Sequence, residues 1–181
     1  MNSTRVATLL ATPLLCAALA APAARAAEGV AAQGIQLFAA GRVADGEKIL
    51  APWVAAHPKD SEATYYLGRC HFSRHDYDGA VDWLEKAAEL APKNAEYQLW
   101  LGRAYGRAAQ EANMLRAAGL ASHARQAYEQ AVALDPGQLD ARGDLVQFYL
   151  LAPGFMGGSI DKARAQAAEI QKRDAGRGAS A

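Results

Sequence analysis

Residues 65–94 read YYLGRCHFSRHDYDGAVDWLEKAAELAPKN, and the spacing inside this stretch decides the fold. Leu67-Gly68, Ala80, Leu84, Ala87 and Pro92 set small and bulky residues at intervals of three and four, on either side of a polar break near His75. That periodicity predicts two helices lying back to back. Helices approach closely only where side chains are small, so Gly68 and Ala80 are the expected contacts, and the bulky positions fill the space beside them. Glycine inside a helix costs about 1 kcal/mol relative to alanine, a cost that close approach of the partner helix has to offset.

Working outward, the same grammar returns. Gly34, Gly68 and Gly102 are spaced by 34 residues, and so are Pro58 and Pro92. The period predicts a repeated helix-turn-helix unit. On these residues, with the strongest match in 61–94, the chain resembles the tetratricopeptide-repeat family. The resemblance implies an all-α fold, a right-handed solenoid of about four hairpins, whose first helices line a concave face that takes peptides or protein segments.

The other units depart from the 61–94 pattern. Residues 27–60 form a weaker copy with Gly34, Leu37, Gly46, Leu50, Trp53 and Pro58, and Pro52 is expected to kink its second helix. In 95–138, Ala124, Tyr128, Ala131 and Pro136 hold the second-helix positions, but Pro136 follows Pro92 by 44 residues, ten more than the period. The extra stretch is rich in alanine and free of proline, so it is expected to lengthen both helices, with Gly119 ending the first. Residues 139–174 are broken by LAPGFMGGS, and Ser159 is placed to cap the final helix. The tail, 175–181, has nothing to bury and is expected to be flexible. Terminal units fade in a solenoid because one face has no neighbour to cover it.

Residues 1–26 read as a secretory signal: Arg5, then an apolar run from Val6 to Ala20, then Ala24-Arg25-Ala26 as a small-x-small cleavage site. The run is too short for a spanning helix and is interrupted by Pro13, and Leu15 before Cys16 is too bulky for lipoprotein processing. Cleavage after Ala26 predicts a periplasmic or secreted protein. Losing Arg5 and Arg25 from 19 basic residues leaves 17 against 19 acids, a formal charge of −2, so nucleic acid is not the expected partner. Only Cys70 remains, so no intramolecular disulfide is expected and packing must supply stability.

The resemblance places Arg69, Arg103 and Arg107 on the concave face with Tyr65, Phe72 and Leu99, a basic strip beside aromatic and apolar surface suited to an acidic or C-terminal peptide segment. The competing reading pairs these arginines with Glu28, Glu62, Glu96 and Asp140, which recur at helix starts. The set of Lys and Asn residues that a peptide-clamp subgroup uses to hold a terminal carboxylate is incomplete here. Phe155-Met156 form a second candidate, an adaptable apolar contact, although folding back of Phe155 as a lid on the last hairpin is the preferred reading. His71 and His75 could share a helical face, but no zinc-protease Glu follows His71, His71 sits at an aromatic packing position of the repeat and His75 lies near the inter-helix turn, so no metal and no cofactor are expected. No nucleophile elbow, phosphate-binding loop or carboxylate pair on a catalytic framework appears, which excludes an enzyme as the leading expectation. A binding scaffold or adaptor in the bacterial envelope is the primary reading. The alternative is an accessory ligand-binding component of a solute-transport system, which a closed apolar cavity would favour over an open groove.

Overall fold

The structure, a computed structural model, describes residues 20–178, with side chains placed for 29–175. Eight α-helices form four antiparallel hairpins: α1 (Ala20–Ala39) with α2 (Val43–Ala56), α3 (Ser61–Ser73) with α4 (Tyr77–Leu90), α5 (Ala95–Glu111) with α6 (Met114–Leu134), and α7 (Leu139–Leu151) with α8 (Ile160–Gly178). A short 3-10 turn, Gly154–Met156, lies between α7 and α8, and no strand occurs among the described residues. The expected all-helical solenoid is what is found.

Side-chain caps start most of these helices. Asp60 accepts from the Ala63 N–H, Asp76 from Gly79, Asn94 from Glu96 and Tyr97, Asn113 from Arg116, and Ser159 from Lys162. Each satisfies a backbone donor that the first helical turn leaves free. Asn113 also corrects the expectation for Gly119, which sits inside α6 with open space around it. The cap fixes the start of α6 six residues earlier, so the ten extra residues add four to α5 and seven to α6, and the turn shortens by one. The helix α2 continues through Pro52, which removes one backbone donor without ending it.

Small residues make the hairpin contacts. A Cβ on Gly68 would lie 2.8 Å from Leu84 Cγ, one on Gly34 2.8 Å from Leu50 Cγ, and one on Gly102 2.6 Å from the Tyr128 ring. Leu50, Leu67, Leu84, Leu99 and Leu145 are almost wholly buried between these contacts and form the core. Burial of such a side chain stabilises by about 1.5–3 kcal/mol.

Among the described residues the backbones of α1 and α3, of α3 and α5, and of α5 and α7 come close, whereas second helices meet through long side chains, as in the Arg116–Asp78 ion pair between α6 and α4. The first helices therefore form the inner, tighter row. At the chain ends, α1 begins at Ala20, inside the stretch read as a leader, and the rest of that leader, 1–19, lies outside the described residues. The helix α8 extends through Gly178, into the stretch expected to form the tail from Ala175; the Glu169–Arg173 pair lies in its last turns, and 179–181 lie outside the described residues.

Candidate functional site

The inner row carries a ladder of stacked rings and guanidinium groups. Arg69 on α3 lies 3.4 Å from the ring centre of Trp100 on α5, 5.1 Å from that of Phe38 on α1, and 5.5 Å from that of Tyr65. Arg103, one repeat on, lies 4.8 Å from the same indole, so Trp100 is contacted by two cations. Phe72 meets Trp100 edge-on at 5.3 Å. The Arg69 guanidinium donates to the Tyr65 hydroxyl at 2.7 Å, and that hydroxyl donates onward to Glu96, which also accepts from Trp100 Nε1 at 2.8 Å and Gln138 Nε2 at 2.9 Å. Cation–π contacts of this kind contribute about 0.5–2 kcal/mol each.

The expected basic strip is therefore changed in character. Arg69 is half-buried in rings, and Arg103 donates to Asp144 at 2.6 Å and lies 3.5 Å from Asp140. The acid-pairing alternative holds for Arg103 and Asp140; Arg69 reaches Glu96 through Tyr65, and the Glu28 side chain lies outside the described residues. Arg107 is exposed, donates to Gln110 at 3.1 Å, and makes no ion pair among the described residues. Two further expectations need correction. Leu99, 1% exposed, and Tyr65, 4% exposed, belong to the core, because the positions facing the neighbouring first helix are sealed by it. Phe72 stays half-buried on the ladder.

Beyond Phe72 the row opens into a cavity of about 510 Å³ among α5, α6, α7 and the 3-10 turn. Its lining includes Arg103, Arg107, Ala117, Ala121, Tyr128 and Met156. Three departures from the repeat meet here. Gly106 stands where Phe38 and Phe72 stand in the earlier units, the lengthened α6 supplies Ala117 and Ala121, and the glycine-rich connection supplies Met156. Phe155 beside it is 81% exposed, which overturns the lid reading: the chain turns at Gly157, with φ +97°, and pins itself through Gly158 N–H to Pro153 O and Ser159 N–H to Tyr149 O, leaving Met156 on the cavity and Phe155 in solvent.

The histidines are engaged locally. His71 Nδ1 lies 2.7 Å from Asp76 Oδ2, and His75 Nδ1 lies 2.6 Å from the Tyr77 hydroxyl; His75 itself has φ +64° at the turn. No group of three or more metal-type ligands occurs among the described residues. Sequence reasoning missed the rungs between units: Tyr105 donates to Glu85, and Tyr149 to Glu129 at 2.7 Å. Both tyrosines follow their glutamates by 20 residues, and the pairs are 44 apart, a recurrence visible in the sequence once the longer period is used. Burial, reinforced by the glutamates, pushes both phenols above their usual value.

Residues 31–95 match the family model described as tetratricopeptide repeat. The chain is 32% identical over 101 residues to Protein O-mannosyl-transferase TMTC1 of Mus musculus, a match covering 56% of this chain and 10% of that protein, so it spans a tenth of that relative's length. Among solved structures it resembles MamA, with a TM-score of 0.71 at 22% identity over 84% of this chain and 80% of that one. It also resembles TTC0263, a thermophilic TPR protein of Thermus thermophilus, with a TM-score of 0.66 at 21% identity over 80% and 72%. At these identities the likeness to the solved structures is one of fold.

Proposed function

From the premise that the chain is a tetratricopeptide-repeat protein, we propose that it is an exported scaffold or adaptor of the bacterial envelope that holds a peptide or protein segment along its inner row of helices. Binding to proteins or peptides is the general property of the family, and no helix among the described residues is long and apolar enough to cross a membrane. The single observation that carries the reading is the ladder from Phe38 through Arg69 and Trp100 to Arg103. Trp, Tyr and Arg are the side chains that dominate binding energy at interfaces, and here their rotamers are already fixed by one another, which lowers the ordering cost of association. The apolar leader of residues 1–26 supports export.

The test captures partners from envelope extract with the parent chain, with Trp100→Ala, and with Lys86→Ala on the second-helix side as control. Loss of one partner with Trp100→Ala alone, at unchanged circular dichroism, is expected; equal capture by both variants refutes the ladder as the surface. Mass measurement of the protein recovered from the envelope should begin at Ala27, and an uncut chain confined to the cytosol refutes export.

A further inference from the structure

We infer that the cavity among α5, α6 and α7 is a binding site for a small amphipathic monocarboxylate, an apolar molecule carrying one acid group. The proposal goes beyond the scaffold reading and stands whether or not a protein partner is found. Its volume of about 510 Å³ falls in the range of roughly 300–1,000 Å³ that small-molecule sites occupy. Along α5 it runs from Arg103 to Gln110, seven residues, or about 10 Å of helix.

The walls are apolar and the polar groups converge. Ala117, Ala121 and Ala124 line one face of α6 at helical spacing, facing Phe148, Leu151 and Met156. On the same face Tyr128 is only 7% exposed, yet its hydroxyl makes no hydrogen bond among the described residues. That hydroxyl points at the cavity, since a Cβ added to Gly106 would sit 3.5 Å from it. The hydroxyl is not sealed from solvent, so it is free to donate to an acceptor that enters the cavity.

Charge selects the ligand's head group. Asp144 and Asp140 answer Arg103, so the uncompensated cation of the cavity is Arg107. Glu111, one turn along α5, makes no ion pair with it. Burial, then the Asp144 carboxylate, push the Tyr128 phenol above its usual value while Arg103 and Arg107 pull it back, so the hydroxyl lies near both guanidinium groups and near the acid that already pairs with Arg103. A carboxylate placed between Arg107 and the Tyr128 hydroxyl satisfies both, and an apolar tail then lies over the alanine face toward Leu151 and Met156. A neutral or cationic head group leaves Arg107 uncompensated.

Isothermal titration calorimetry on the full chain, with octanoate, octanol and octylamine as probes, decides the matter. Octanoate is expected to bind with saturation and the other two about tenfold or more weaker. Arg107→Gln and Tyr128→Phe should each weaken octanoate about tenfold, and Gly106→Phe, which restores the aromatic of the earlier units, should abolish binding at an unchanged circular dichroism spectrum. If Gly106→Phe does not fold, the exposed Arg107→Gln carries the test. Absence of saturable octanoate binding, equal affinity for octanol, or full affinity in Arg107→Gln overturns the proposal, irrespective of the outcome of partner capture.

Discussion

Gly68→Ala and Gly119→Ala make one chemical change at two helix interiors, and they should move stability in opposite directions. Each gains about 1 kcal/mol of helix propensity. At Gly119 nothing lies within 4 Å of the added carbon, so that gain stands. At Gly68 the new carbon meets Leu84 Cγ at 2.8 Å, Leu84 Cδ2 at 3.1 Å and Trp83 Cβ at 3.2 Å. Leu84 is fully buried, and a Cβ moves only with its backbone, so relief requires α3 and α4 to separate. Overpacking of this kind costs about 1–3 kcal/mol; taking the middle, the net loss is about 1 kcal/mol. The two variants should then differ by about 2 kcal/mol, or about 4–8 °C in Tm for a chain of this size. Urea titration followed by circular dichroism, with parallel thermal melts, measures the difference. A Gly68→Ala protein as stable as Gly119→Ala refutes the claim that close approach at this glycine holds the hairpin.

Three other outcomes follow from the same contacts. Tyr105→Phe leaves Glu85 without its donor and should cost about 1 kcal/mol in urea titration, as should Tyr149→Phe at the next interface through Glu129. Gly158→Ala would drive a Cβ into the Ala152 carbonyl oxygen, so hydrogen exchange should show lost protection at the start of α8 while α3 and α4 keep theirs. The hydrogen bond from His71, together with the Gly79 N–H, holds the Asp76 carboxyl below the usual range. Its contribution is therefore present above the unfolded-state value of about 3.9 and is lost as pH falls through the lowered folded value. Asp76→Asn should flatten the acid limb below about pH 4, by a small amount because the carboxylate is half-exposed, and an unchanged limb would remove His71–Asp76 from the account.

Local chemistry made the hairpins legible. The close approach at Gly68 and the cap at Ser159 depend on residues near one another along the chain, so spacing alone places them, although the atoms nearest Gly68 belong to Leu84 and Trp83 and not to the expected Ala80. The end of α5 was not legible from Gly119, because in an alanine-rich stretch a glycine costs only about 1 kcal/mol and the cap at Asn113 wins. The candidate surface was legible as a row of positions and not as a set of exposed groups. Arg69 and Arg103 occupy equivalent places and both lie over Trp100, but the next first helix along offers Arg69 that indole and offers Arg103 the Asp144 carboxylate, so Arg103 adds an ion pair to its ring contact.

What the sequence by itself determined is the helical repeat, its 34-residue period and the ten-residue departure from it, since periodicity and capping are properties of neighbours along the chain. What only the tertiary structure decided is where those departures meet. Gly106, the lengthened α6 and the turn at Met156 lie up to 50 residues apart in sequence, and only the packing of α5, α6 and α7 makes them walls of one cavity. Burial and charge compensation depend on that packing, which is why Leu99 and Tyr65 belong to the core and Arg107 is the guanidinium left uncompensated on the cavity.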